Sequence, residues 1–200
     1  MTVIIALLAY LIGSLSFAVI VSRVWKLPDP RTYGSGNPGA TNVLRTGRKS
    51  AAVATLAGDA IKGWLGVYVA QLLAGPGAVE TIAASAVAVA VGHMYPVFFR
   101  FKGGKGVATT LGVLIGVNGY VAAGAFATWL IIAAFFRISS LAALVSAVFA
   151  PFFTLLLYDA QHPYFLAVTA ICGLLVWRHR SNIRNLLNGT EERIGVSKDA

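Results

Sequence analysis

Residues 107–136 run for thirty positions without a single Asp, Glu, Lys or Arg. That length is too great for one ordinary membrane crossing and short for two, at roughly 20 residues each. "VNGY" at 117–120 places a turn signal in its middle. Residues 1–22 are also uncharged, and they lack the basic start and the small-residue cleavage site of a secretory signal, so they read as a retained first span. With 58% hydrophobic and 12% charged residues, the chain falls far from a soluble domain, in which about 25% are charged. The expected fold is all-α: a polytopic integral membrane protein of about seven transmembrane helices. Residues 1–200 would form a single helical domain.

Candidate spans are 2–22, 58–75, 78–98, 107–121, 121–136, 140–158 and 163–177, with residues 51–57 as a surface helix leading into the second. Crossing 107–136 twice brings the basic segments to one side. Arg23, Lys26, Arg31, Arg45, Arg48 and Lys49 then share a face with Arg100, Lys102 and Lys105, with Arg137, and with Arg178, Arg180, Arg184, Arg193 and Lys198. These segments hold 15 of the 16 Lys and Arg residues; the opposite connections, "AGPGAVE", "VNGY" and "YDAQHP", hold none. The positive-inside rule puts the N-terminus outside and the C-terminus in the cytoplasm. A net charge of +9 distributed in this way marks topology and gives no reason to invoke nucleic acid.

Two segments of the basic face carry chemistry. In "YGSGNPGATNVLRTGRKS", residues 33–50, glycines let backbone N–H groups approach an anion. Ser35, Asn37, Thr41 and Asn42 add neutral hydrogen-bonding groups, and Arg45 adds a forked cation. Gly34, Gly36 and Gly39 fit G-x-G-x-x-G, but a membrane helix precedes them where a dinucleotide site requires a strand. In "FKGGKGVATT", residues 101–110, Gly103, Gly104 and Gly106 open a helical pattern, and Lys102 and Lys105 flank the turn. Unpaired N–H groups at a helix start, with two ammonium groups, make an anion site; snorkelling lysines at a membrane boundary are the simpler alternative. Thr109 and Thr110 offer hydroxyls.

Further polar groups have structural or functional readings. Asp59 and Lys62, three apart on one helical face, neutralise one another, or Asp59 orients a site cation. His93 closes the end of the third span, and Ser140 caps the sixth. His179 and Asn182 share a face if the last span continues as a helix, where they can donate to a phosphate or an oxyanion. Cys172, the sole cysteine, reads as a buried inert thiol. No Cys/His or paired-carboxylate spacing suggests a metal. "NGT" at 188–190 would lie in the cytoplasm, away from glycosylation.

"GSGNPGATNVLRTG", "GHMYPVFFRFKGGKGVAT" and "HRSNIRNLLNGTE" together resemble the three signature segments of the bacterial acyl-phosphate:glycerol-3-phosphate acyltransferases, the PlsY family. The resemblance spans nearly the whole chain. It implies acyl transfer from acyl phosphate to the sn-1 hydroxyl of glycerol 3-phosphate, giving lysophosphatidic acid and inorganic phosphate for phospholipid synthesis. It also implies a bacterial inner-membrane enzyme, monomeric and without a cofactor, whose partners are these substrates and membrane lipids. Carried over residue by residue, it makes Ser35, Lys105, His179 and Asn182 catalytic. Gly36, Asn37, Gly39, Thr41, Asn42, Arg45, Lys102, Gly103, Gly104, Gly106 and Ser140 become substrate-binding. The H-x-x-x-x-D pair of other acyltransferases is missing after His93, His162 and His179, so the resemblance favours positioning over base catalysis by His179. A transporter of phosphorylated solutes is the competing class; it would call for polar groups at the midplane and internal repeats. A structural membrane subunit would leave the loop chemistry without a purpose.

Overall fold

The first apolar stretch does not fold as one rod. In the computed structural model, which describes residues 1–194, it divides into α1 (Thr2–Gly13) and α2 (Phe17–Val24), parted at Ser14–Ser16. Polar neighbours hold the break open: the Leu15 carbonyl accepts from Lys62 Nζ at 2.5 Å, and Ser14 Oγ accepts from the Val97 N–H at 3.3 Å. A short helix, α3 (Ala40–Leu44), lies in the loop that follows. The expected separate surface helix at 51–57 is instead the beginning of α4, which runs unbroken over Lys49–Ala74. Its first turns bury Ala51, Ala52 and Thr55, and Ala51 and Ala52 join Ala18, Val21 and Val43 in one apolar cluster, so that end is packed and does not float on the surface.

After α5 (Val79–Met94) the chain turns at Pro96 through one 3₁₀ turn, Val97–Phe99. The thirty-residue uncharged stretch divides where the turn signal stood, into α6 (Val107–Val117) and α7 (Gly119–Phe136). Asn118 makes the division: its Oδ1 accepts from the Tyr120 N–H at 2.9 Å, capping α7. Then come α8 (Ser139–Leu155), α9 (Pro163–Arg178) and α10 (Arg180–Leu187). Among the described residues there is no strand. Lys198 lies outside the described residues.

Thr2–Val24, Val79–Phe99 and Gly119–Phe136 are long and apolar enough to cross a membrane by length and composition. The shorter apolar helices α6, α8 and α9, with the long α4, bring the rods to about the seven expected. Small residues let them approach closely: a Cβ on Gly63 would strike the Thr109 carbonyl, and one on Gly112 the Ala60 carbonyl, so α4 and α6 meet backbone to backbone. One core joins Ile5, Val67, Ile82, Val89, Val113 and Ile171; another joins Met94, Leu114, Val121, Ala147 and Leu175. Leu7, Ile61, Leu72, Phe135, Val148 and Leu166 face outward. Lipid accepts such a surface; water would not. Up-and-down alternation gathers the connections after α2, α5, α7 and α9 at one end, and the chemistry lies there.

Candidate active site

The loop after α2 is organised by a side chain that sequence reading assigned to substrate. Asn42 is buried: its Oδ1 accepts from the Ser35 N–H at 3.1 Å, and its Nδ2 donates to the Pro30 carbonyl at 2.7 Å and the Tyr33 carbonyl at 3.2 Å. Its polar atoms are thus engaged in shaping the loop. Ser35 stays exposed, with its Oγ accepting from the Asn37 N–H at 3.4 Å. Arg45, at the end of α3, ion-pairs with Glu192 at 2.5 Å.

The glycine turn delivers its lysine into the same space. Gly106, at φ +89°, is the N-cap of α6 and adopts a backbone conformation that other residues seldom reach. Lys105 Nζ donates to Asn182 Oδ1 at 2.5 Å, and Asn182 Nδ2 donates to Glu191 Oε1 at 2.6 Å. Ser140 Oγ donates to the same Glu191 oxygen at 2.6 Å. Ser140 is therefore not a cap: Ile138 precedes α8 as its N-cap, and the serine hydroxyl points to the C-terminal segment. Burial lowers the Lys105 ammonium below the ordinary lysine value; Glu191 opposes the shift, and Arg178 and Arg45 add to it.

His179 stands where the last long helix ends. The condition under which His179 and Asn182 would share one continuous helix is not met: α9 ends at Arg178, α10 restarts at Arg180, and His179 sits between the two. Its Nδ1 lies 2.8 Å from the Leu175 carbonyl, which can only accept, so Nδ1 carries the proton and Nε2 is left as an acceptor. Burial pushes its pKa down to about 4, with Lys105 and Arg178 adding to the shift against the Leu175 carbonyl and Glu191. The imidazole is neutral at pH 7.

These groups border one cavity of about 890 Å³. Ser35, Asn37, Gly39, Thr41, Asn42, Arg45, Lys105, Gly106, Ser140, His179 and Asn182 line its polar end. Leu111, Leu114, Ala125, Trp129, Ala147 and Cys172 line an apolar arm between α6, α7, α8 and α9. A smaller recess of about 240 Å³ shares Ser35, Asn37 and Lys105 and adds Gly36, Gly103, Arg178 and Arg180. Lys102 and Gly104 line neither space. Lys102 is exposed, as a snorkelling lysine would be.

Sequence reading missed Arg178, Glu191 and Glu192. Arg178 donates to the Gly103 carbonyl at 2.8 Å and the Gly104 carbonyl at 3.2 Å, gripping the turn. Read as a topology charge, it had no signal to set it apart from Arg180 and Arg184. The acidic doublet did have one, since Glu191 and Glu192 are adjacent carboxylates in an otherwise basic tail. The same tail is tied across α7 and α8 by the Ile194 N–H, which donates to the Arg137 carbonyl at 2.6 Å.

Fold and cavity define an integral membrane protein whose site joins a cationic, glycine-lined mouth to an apolar interior. The model of one family, glycerol-3-phosphate acyltransferase, matches residues 3–189. A glycerol-3-phosphate acyltransferase of Ralstonia nicotianae is 59% identical over 199 residues, covering 98% of this chain and 96% of that protein. One of Burkholderia multivorans is 60% identical over 196 residues, covering 98% and 92%. Among solved structures, PlsY (YgiH), an integral membrane glycerol 3-phosphate acyltransferase, matches in its glycerol 3-phosphate form with a TM-score of 0.89 and 38% identity, over 97% of this chain and 96% of that one. The form of PlsY with lysophosphatidic acid matches with a TM-score of 0.87 and 37% identity, over 97% and 95%. The chain belongs to the glycerol-3-phosphate acyltransferase family, and it is a membrane acyltransferase of phospholipid biosynthesis.

Proposed function

We propose that the acyl donor is an acyl phosphate and that the acceptor is the sn-1 hydroxyl of glycerol 3-phosphate. The observation that carries this reading is one cavity in which a half-buried lysine on a glycine turn adjoins an apolar arm. A donor with a phosphate head and a hydrocarbon tail matches both ends. Its phosphate rests on Lys105 and on the start of α6 at Gly106. Its acyl chain lies in the arm. The phosphate of glycerol 3-phosphate takes Arg45, exchanging for the Glu192 carboxylate, while Ser35, Asn37, Thr41 and Ser140 contact its polar groups. Asn42 acts as a positioning residue for Ser35.

The sn-1 oxygen attacks the acyl carbon, forming the ester C–O bond as the acyl carbon–phosphate oxygen bond breaks. Lys105 stabilises the charge that gathers on the departing phosphate. The hydroxyl proton passes to that phosphate, giving inorganic phosphate and lysophosphatidic acid. His179, neutral and with Nε2 as acceptor, orients the attacking hydroxyl, and Asn182 holds Lys105 in reach. Juxtaposition of two bound substrates supplies much of the rate.

The chain acts as one helical membrane domain and as a monomer. The distribution of its arginines and lysines supports an N-terminus outside the bacterial inner membrane, with the site and C-terminus at the cytoplasmic face. The deciding assay is conversion of labelled glycerol 3-phosphate by purified protein in lipid, with acyl phosphate and acyl-CoA offered in parallel. Product is expected with acyl phosphate and not with acyl-CoA. Product from acyl-CoA alone would overturn the donor assignment.

A further inference from the structure

Three buried ionisable groups beneath the glycine turn have no part in the reaction proposed above. Asp59, Lys62 and His93 are 3%, 2% and 7% exposed. Lys62 Nζ lies 2.8 Å from Asp59 Oδ1 and donates to the Leu15 carbonyl at 2.5 Å, so the lysine and the aspartate already neutralise one another. His93 Nδ1 lies 3.5 Å from the same Asp59 oxygen, and it has no hydrogen-bond partner among the described residues. Charge balance does not require a histidine here.

Its other edge supplies a reason. A Cβ on Gly104 would strike His93 Nε2, and one on Gly103 would strike the His93 carbonyl, so the turn rests directly on this residue. That carbonyl accepts from the Gly104 N–H at 3.2 Å. From the other side, Arg178 holds the Gly103 and Gly104 carbonyls. The turn is thus clamped between an arginine and an imidazole. Asp59 and His93 both border the large cavity, in the wall that also carries Lys105.

We infer that His93, oriented by Asp59, is a positioning residue that sets the height of the Gly103–Gly106 turn and so the reach of Lys105. The inference rests on the reading that this turn holds the donor phosphate. Asp59 draws the Nδ1 edge of the ring toward its carboxylate by charge, at 3.5 Å, and leaves the far edge to support Gly104. A lysine displaced by about 1 Å loses its match to the departing phosphate, a misplacement that costs on the order of a hundredfold in rate.

The test uses the full chain in lipid and compares wild type, Lys105→Ala, His93→Leu and His93→Asn. Asparagine keeps an N–H near Nδ1 to face Asp59; leucine fills space but donates nothing. His93→Leu should lower kcat/KM for acyl phosphate about a hundredfold while KM for glycerol 3-phosphate stays within about threefold. Its thermal midpoint should remain close to wild type, and His93→Asn should recover at least about tenfold of the loss. If His93→Leu does not fold, His93→Gln, which loses the Asp59 contact and keeps an amide near Nε2, takes its place.

Wild-type kinetics in His93→Leu would overturn the inference. So would equal losses in the leucine and asparagine variants with equal drops in melting, which would reduce His93 to core filling. A neutral-pH limb that vanished in both variants with KM unchanged would make His93 a proton acceptor and overturn it too. Failure of the donor reading looks different: wild type would then ignore acyl phosphate, or Lys105→Ala would match wild type.

Discussion

Lys62 is buried and Lys105 half-buried, and of the two only Lys62 is matched by a carboxylate in direct contact. Lys62, within α4, touches Asp59 and the Leu15 carbonyl; its charge is settled inside the protein. Lys105, on the glycine turn, has the neutral amide of Asn182 as its hydrogen-bond partner, and the Glu191 carboxylate stands one hydrogen bond further away. A buried cation with its own anion holds a structure together, whereas one held by an amide beside an open cavity has charge left for a substrate. The sequence reading already pairs Lys62 with Asp59 and sets Lys105 at an anion-binding turn; the structure adds Asn182 as the partner of Lys105. Their partners separate their roles.

The contrast can be broken at either lysine. Lys62→Ala leaves Asp59 buried with only the His93 ring beside its carboxylate, and it should destabilise the fold by about 3–5 kcal/mol, read by thermal or denaturant unfolding in detergent. A melting midpoint equal to wild type would show that the Lys62–Asp59 pair is not holding α1, α2 and α4 together. Lys105→Ala should do the reverse, lowering acyl transfer about 10²- to 10³-fold with little change in melting. If it unfolded the protein instead, the two lysines would be of one kind.

Smaller changes sharpen the picture around Lys105. His179→Ala should lower kcat/KM about thirtyfold, roughly the 2 kcal/mol of a lost hydrogen bond to a reacting group. Because burial holds the pKa of His179 down to about 4, the pH profile between 6 and 8 should keep its shape in the variant. A neutral-pH ionisation lost on mutation would make His179 the base. The same shift has a sign for stability: the unfolded chain takes up the His179 proton near pH 6.5, the folded chain only near 4. This residue therefore favours the fold above pH 6.5, and its contribution is lost as pH falls toward 4. Ser140→Ala removes the Ser140 hydroxyl bond to Glu191 and should cost about fivefold in rate, roughly 1 kcal/mol. An unchanged rate would mean that the C-terminal segment is held without it.

The rods were legible in the sequence because uncharged runs and the turn at Asn118 are local signals. The break at Ser14–Ser16 was not, since it depends on Lys62 and Val97, which reach Leu15 and Ser14 from elsewhere in the chain. Similarly, loop residues that gather at the mouth could be listed from their types, but not sorted. Asn42 and Ser35 look alike as short polar groups that line the cavity, yet Asn42 is buried with both ends of its amide engaged in the loop's own hydrogen bonds and Ser35 stays exposed. Lys102 and Lys105 are three residues apart in the same turn, and only Lys105 lines the cavity. Arg178 grips Gly103, 75 residues away, and Glu191 accepts from Ser140, 51 residues away, contacts that no spacing rule reveals.

The most direct measurement is binding of a non-hydrolysable acyl phosphonate to the protein in detergent micelles, by calorimetry, for wild type, Lys105→Ala and Lys102→Ala. The account predicts that Kd rises at least about tenfold in Lys105→Ala, the equivalent of about 1.4 kcal/mol, and stays near wild type in Lys102→Ala. Equal binding by wild type and Lys105→Ala would contradict it, because the lysine without a carboxylate of its own would then not be holding the donor's phosphate.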